Sequence, residues 1–372
     1  MLSNLRRTNQ RKSLRNRVRT SVLVGAACLL PLLAQAQATP DPAVVAMAND
    51  AAQPRAAIVA MHAAEVNLLA IADTGKRLIA VGQHGSIVVA DSAGQWHQVP
   101  SPVDIMLTRV RFSDAQHGWI VGYDGAILAT NDGGDHWALQ HYSGDGQPLY
   151  DLLFLDPQHG IAIGANGSYL ETSDGGAHWT SRSFPITELS LHLNALTKLA
   201  DGTLVLAGEK GLMAYSRDQG AQWQMLRSPY TGSFYGALPV GEHGVLLYGM
   251  RGHIYVSDNL VAAATQDPAS WQELNRSIVT DPKQLAAMGW RSVQAPTTNS
   301  LFGATRLPDQ RLLLVGINGI AVLTDPSLTS ATRIDLSARE TLADVTYRNA
   351  KVVAVGRRGA QSLGALDEKS VP

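Results

Sequence analysis

A Gly-x-x-Gly pair returns seven times along this chain, and no other feature of the sequence restricts the fold as strongly. The pairs are Gly82/Gly85, Gly122/Gly125, Gly164/Gly167, Gly208/Gly211, Gly249/Gly252, Gly316/Gly319 and Gly356/Gly359. Their first glycines are spaced 40, 42, 44, 41, 67 and 40 residues apart. Apolar runs such as Leu78-Ile79-Ala80-Val81 and Leu312-Leu313-Leu314-Val315 precede them. The stretch Phe112–Trp137 shows the unit most fully: three short strand-like runs and the start of a fourth. Between its second and third runs lies Asp124-Gly125, which predicts a two-residue hairpin with positive φ at both central residues. A strand-only repeat of about 40 residues predicts an all-β chain, a seven-bladed β-propeller of four-stranded antiparallel blades, here over residues 55–366.

Such a ring needs closing, because a lone blade cannot bury both its faces. The last repeat, Leu342 to Leu363, supplies about three strands. The apolar run Ile58-Val59-Ala60-Met61 is therefore expected to serve as an N-terminal closing strand, the fourth of the last blade, covering an open edge. The one long interval, between the fifth and sixth pairs, reads as an insertion over residues 259–300. Within it, Asp281-Pro282-Lys283-Gln284-Leu285-Ala286-Ala287-Met288 predicts a short helix with Asp281 as N-cap and Pro282 at the first helical position.

The ends read differently. Residues 1–36 carry seven basic residues and no acidic one, and Val22–Leu33 forms an apolar run too short to span a bilayer. With small residues at Ala34-Gln35-Ala36, this predicts a cleaved signal peptide and a periplasmic protein; the rival is an uncleaved membrane anchor. Residues 37–54 read as a flexible linker and 367–372 as a polar tail. Without the leader, 23 basic and 31 acidic residues leave a net charge of −8, which argues against a nucleic-acid partner. The only cysteine, Cys28, leaves with the leader, so disulfides and thiol chemistry are excluded from the mature chain. No His/Cys spacing suggests a metal site, and no glycine-rich loop leads into a helix to hold a phosphate, so no cofactor is expected.

A second, longer turn recurs as Thr130-Asn131-Asp132-Gly133-Gly134-Asp135-His136-Trp137, Thr172-Ser173-Asp174-Gly175-Gly176-Ala177-His178-Trp179 and Ser216-Arg217-Asp218-Gln219-Gly220-Ala221-Gln222-Trp223. Decayed forms are Asp91…Gly94…Trp96 and Ser257-Asp258…Trp271. These resemble Asp-box (BNR) repeats. Their residues are expected to be structural: Asp132, Asp174 and Asp218 accepting backbone N–H groups, Gly134, Gly176 and Gly220 supplying a special conformation, and Trp137, Trp179 and Trp223 anchoring the hairpin. Together with Phe112-Ser113-Asp114-Ala115-Gln116-His117-Gly118-Trp119 and its echo from Phe154 to Ile161, they resemble the photosystem II assembly/stability factor family of propellers. That resemblance implies a propeller and a non-catalytic role assisting assembly or stability of a membrane or periplasmic protein complex.

Two functional classes compete. In the first, a protein partner, a membrane-associated complex or transporter, docks on the face that carries the Gly-x-x-Gly turns and the blade-to-blade links. Candidate contacts are Lys210, Arg251, Arg357 and Arg358 on the turns and Tyr235 and Trp290 on the links, since interfaces favour arginine and aromatics. Arg109 and Arg111, alternating with Val110 and Phe112, are expected to point away from the packed side toward the channel. The alternative for this face is plain: polar turn tips, and aromatics that pack between blades. In the second class, the chain is an Asp-box glycosidase or carbohydrate-binding protein; a two-carboxylate glycosidase requires a convergent pair near the channel, for which Asp104, Asp124, Asp151 and Glu209 are candidates.

Overall fold

In each blade the second and third strands are joined by a hairpin whose geometry follows from its two glycines. In the second repeat the Tyr123 N–H donates to Met106 O at 2.9 Å, bringing the chain that enters the blade against Gly122. A Cβ at Gly122 would collide with that carbonyl. Asp124 and Gly125 take φ of 55° and 65°, and the Ala126 N–H closes the turn on Tyr123 O at 3.0 Å. This is the positive-φ turn that Asp-Gly predicts, because its twist matches that of the flanking strands. The same left-handed position holds His84, Asn166, Lys210, Arg251 and Asn318 in their blades.

The computed structural model describes residues 54–364, apart from 92, 185–189, 264, 266–276 and 337. The leader, the linker before residue 54, the tail and Trp271 lie outside the described residues. Seven antiparallel sheets follow one another over residues 68–99, 107–141, 149–181, 193–225, 234–292, 301–333 and 342–362. Six have four strands in simple up-and-down order and the seventh has three. The second strand of each of the first six blades is buried along its whole length, as in Gly118–Gly122 and Leu204–Gly208, because a neighbouring blade covers each face. Each blade thus contributes to two seams of core, and the strands read as continuous apolar runs rather than alternating ones.

The first strands ring the central channel. Every one of them slips register at a single residue: Leu69, Thr108, Tyr150, Asn194, Tyr235, Phe302 and Ala343. A bulge bends the strand and re-aims its side chains. Two of these residues staple adjacent blades. Thr108 Oγ1 donates to Leu149 O at 2.5 Å, and Asn194 Nδ2 to Phe234 O at 2.8 Å.

The seven-bladed ring is as expected, but the closing strand is not. Ile58 and Met61 are 86% and 96% exposed, and the segment lies beside the outer strand of blade one, with Ala60 N–H on Gln98 Oε1 at 2.7 Å. Gln98 returns a bond to Ile58 O, so the segment's polar groups are taken by a side chain and no ladder with blade seven forms. Closure comes instead from the turn Ala63–Glu65, which lies against Gly359 where a Cβ would fall on Ala64 O. In blade one the equivalent Gly85 is covered by Val103, part of the link to blade two. The N-terminal turn therefore takes the place of the missing link from blade seven to blade one. Buried Ala63, Leu68, Ala80, Val353 and Val355 fill that seam.

The insertion enters where other blades carry the Asp-box turn, between the third strand of blade five (Ile254–Ser257) and its outer strand (Arg291–Ser292). Its helix, Pro282–Ala287, is capped as predicted: Asp281 Oδ1 accepts from Gln284 N at 2.9 Å.

Candidate functional site

Turn tips and chain entries share one end of the ring. There a cavity of about 840 Å³ opens at the mouth of the channel, walled by Val66, Leu69, Phe302 and Ala343 and edged by Glu65, Gln83, His84 and Arg357. Tyr235 is half-buried and packs on Phe302 with ring centroids 5.3 Å apart; Tyr150 meets His192 edge-on at 5.8 Å. Lys210, Arg251, Arg357 and Arg358 are exposed on the tips of blades four, five and seven, and of these Arg357 borders the cavity. These four and Tyr235 therefore sit on the face where the sequence placed them.

Trp290 does not. It is 2% exposed and packs with Tyr230, Phe234, Tyr255, Leu285 and Met288 in the seam of blades four and five. The described part of the insertion follows that seam, with Val279 N–H on Pro229 O at 2.8 Å, so it buries the tryptophan rather than presenting it over the turn face. Tyr230 and Phe234 are buried with it, as the packing alternative expects.

Arg109 and Arg111 do face the channel, in a cavity of about 220 Å³ bordered by the first strands of all seven blades. They are engaged there. Arg111 forms a fork on Asp151, with Nε on Oδ1 at 2.9 Å and Nη2 on Oδ2 at 2.7 Å, and also donates to Leu196 O at 3.1 Å. Asp151, fully buried, further accepts from Leu152 N and Leu196 N at 3.0 and 2.9 Å. Arg109 lies between two carboxylates, 3.6 Å from Asp151 and 3.5 Å from Asp344, and its Nε has no hydrogen-bond partner. Asp344 accepts from Ile71 N at 3.2 Å and Val345 N at 2.9 Å.

The two carboxyls differ in charge preference. Burial pushes Asp151 upward, but Arg111 and Arg109 beside it, with the Leu196 N–H, outweigh burial and hold it below the ordinary range. At Asp344 burial wins over the looser Arg109, and the pKa is raised. This four-membered network spans blades two, three and seven, with hydrogen bonds on into blades one and four. Asp344 is not legible in the sequence because it stands 193 positions from Asp151; the signal that Arg109, Asp151 and Asp344 share is a charge two residues past the entry of a first strand.

The Asp boxes are as expected in their bonding. Asp132 Oδ1 accepts from Thr130 Oγ1, Asp135 N and His136 N at 2.8, 3.0 and 3.0 Å, while Trp137 Nε1 donates to Gly134 O at 3.1 Å. Asp174 and Asp218 repeat this with His178 N and Gln222 N, each at 2.9 Å. Those backbone donors hold both carboxyls below the ordinary range. His136 and His178 close on the same carboxylates, and His117 and His159 on Asp114 and Asp156, so these four histidines belong to their own turns. Each box also grips the preceding blade: a Cβ at Gly134, Gly176 or Gly220 would meet Ile79, Gln140 or Ile161. Trp179 and Trp223 stand edge-on to Phe154 and Tyr169. A further Asp-centred turn in blade six, Asp325 with Ser327, Thr329 and Ser330, has no Gly-x-x-Trp and was missed for that reason.

Each of the four carboxylates weighed for glycoside chemistry is engaged by a neighbour of its own. Asp104 pairs with Arg55 at 3.0 Å, Asp124 accepts from Tyr142 at 3.3 Å, Glu209 from His192 N at 3.2 Å, and Asp151 is forked in the channel.

The profile of the family described as photosynthesis system II assembly factor YCF48 matches residues 87–147 and 144–278, just over half of the sequence. The chain belongs to that family. A stretch of 70 residues is 39% identical to the chloroplastic photosystem II stability/assembly factor HCF136 of Cyanidioschyzon merolae, covering 17% of this chain and 16% of that protein. A stretch of 44 residues is 46% identical to the Guillardia theta protein of the same name, covering 11% of each. The chain thus aligns with only a small part of these relatives' length. Among solved structures, YCF48 bound to D1 peptide superposes with a TM-score of 0.57 at 15% identity, over 84% of this chain and 97% of that one. Virginiamycin B lyase from Staphylococcus aureus reaches 0.63 at 9% identity, over 82% and 96%. At such identities these likenesses concern the fold alone, and the fold does not choose between binding and catalysis.

Proposed function

We propose that this chain is an exported, non-catalytic propeller that binds a protein partner at its turn face and assists assembly or stability of a membrane-associated or periplasmic complex. The observation that carries the reading is membership of a family one of whose solved members, YCF48, was captured with a D1 peptide. The turn face supplies what peptide recognition needs: an open cavity with an apolar wall, half-buried aromatics, and exposed cations at its edge and on nearby tips. Export rests on the basic leader and its short apolar run. A non-catalytic role is supported by the candidate carboxylates, each of which already serves a neighbour of its own.

Cations on one face of a chain whose net charge would be −8 once the leader is removed orient an acidic partner, since local potential steers encounters more than net charge does. The test is capture of the partner from the periplasm by the wild type and by the triple variant Lys210→Glu, Arg251→Glu, Arg358→Glu. The variant is expected to associate more slowly and with weaker salt dependence at an unchanged melting temperature. Unchanged capture removes this face as the binding surface.

A further inference from the structure

Six blades carry an outer strand of two to four residues beyond their third strand, and blade seven carries none among the described residues. Its third strand, Gly359–Ser362, pairs in even register with Lys351–Gly356, and among the described residues no strand pairs with its other edge. Leu363 N–H bonds Val352 O, so by antiparallel alternation Gln361 turns its backbone groups inward, while Ala360 and Ser362 turn theirs outward. Exposed edges are ordinarily protected by a lysine, a proline or a bulge, and Gly359-Ala360-Gln361-Ser362 has none of these. Gln361 Nε2 is buried without an acceptor. At the start of the strand stand Arg357 and Arg358, both exposed and in no ion pair among the described residues. The N-terminal segment, which the sequence offered for this place, is held at blade one by Ala57 N–H on Ser101 O and Ala60 N–H on Gln98.

We propose that the edge Gly359–Ser362 receives an extended acidic segment of the protein partner as the fourth strand of blade seven. This rests on the protein-binding reading and gives it a mode: main-chain bonds to Ala360 and Ser362 supply affinity, and carboxylates beside Arg357 and Arg358 supply register. The outer strands of blades three and four pair through only two residues, so a short segment is enough. Running antiparallel to the edge, as every outer strand here does, the segment places its C-terminal end at the arginines.

The test measures amide exchange at Ala360 and Ser362 in the full chain, with the peptide Thr-Val-Thr-Val-Asp-Glu as probe. Both amides are expected to exchange freely without peptide and at least about tenfold more slowly with it. Lysines in place of the two acidic residues should abolish the effect. Ala360→Pro removes an outward N–H without touching the ladder and should abolish protection of Ser362; Ser362→Pro does the same at the other site if the first variant melts early. Protection already present in the free protein overturns the proposal: independent of concentration, it means that the chain's own tail fills the edge, and rising with concentration, that a second copy does. Exchange that the peptide leaves unchanged overturns it as well. If Ala360→Pro still captures the periplasmic partner as the wild type does, the edge is not the docking site and the broader binding reading stands. If the wild type captures nothing, it is that reading which fails.

Discussion

Blades two to four and blade seven meet the same requirement, a seam with a neighbour, with different parts. Each Asp box of blades two to four reaches back to the blade before it. Arg77 Nε donates to Gly133 O at 2.9 Å, Gln140 Nε2 to Gly175 O at 3.1 Å, and Gly220 lies against Ile161 and Tyr169. Blade seven is not gripped in this way, because in the corresponding turn of blade one a Cβ on Gly94 would meet no atom within 4 Å. It meets blade one through the Arg348–Asp73 pair, the bond from Ile71 N–H to Asp344, and the turn Ala63–Glu65 over Gly359. A repeated motif secures the seams between successive repeats. The closing seam joins the two ends of the repeat array, and residues outside the motif must secure it.

If that division holds, the largest loss comes from the repeated seam. Trp137→Ala empties a buried indole site between Ile79 and Phe112 and is expected to cost about 3–5 kcal/mol in denaturant unfolding. Partner capture by the folded fraction should stay normal. A stable Trp137→Ala protein that has lost only binding would make the Asp-box end the interaction face and reverse the comparison.

The channel network comes next. Arg111→Met leaves Asp151 buried with only the distant Arg109 to balance it, and should cost about 3 kcal/mol. Adding Asp151→Leu should recover most of the loss, because the penalty is an unpaired buried charge and not a missing attraction. Failure of the double variant to recover would mean that the carboxylate's bonds to Leu152 and Leu196, rather than its charge balance, hold blades two to four together.

The same division decides what the sequence disclosed. Seven glycine pairs dictated the hairpins, and with them the strand order, because each asks for a local conformation that few other residues permit. Asp281-Pro282 dictated a helix start for the same local reason. The N-terminal segment misled because Ile58-Val59-Ala60-Met61 has a strand's composition, while its position is decided by Gln98 and Gly359, far along the chain. Trp290 misled because an aromatic in an insertion reads the same whether it faces a partner or a seam. Asp344 was invisible, since its meaning depends on Arg109 across the channel.

A smaller effect tests whether the N-terminal turn is truly a substitute link. Gly359→Ala and Gly85→Ala each force a side chain onto a carbonyl, Ala64 O or Val103 O, at positive φ, and each should cost about 1–3 kcal/mol. Equal melting shifts for the pair confirm that blade seven is sealed as tightly as blade one. A mild Gly359→Ala means that the turn yields, and that the closing seam is the weak one.

The smallest effect separates the two carboxyls of the channel by the sign of their pH dependence. Asp151 titrates below its unfolded value of 3.8, so its contribution is present above that pH and is lost as pH falls through the folded pKa. Asp344 titrates above the same unfolded value, so its contribution is present below it and is lost as pH rises through the folded pKa. Wherever its carboxyl ionises in the folded chain, the buried charge is therefore a burden on the closing seam. Asp344→Asn removes the charge and keeps a carbonyl oxygen for one of the two N–H donors, so its net effect at pH 7 should be under about 1 kcal/mol. The balance should shift in favour of the native Asp as the solution is acidified. Asp151→Asn should do the reverse: costly at neutral pH, and progressively harmless in acid. Unfolding free energies of both variants and the wild type across the acid range give two slopes of opposite sign. If Asp344→Asn instead loses more at pH 7 than in acid, Arg109 holds Asp344 as firmly as Arg111 holds Asp151, and the closing seam is locked by charge after all.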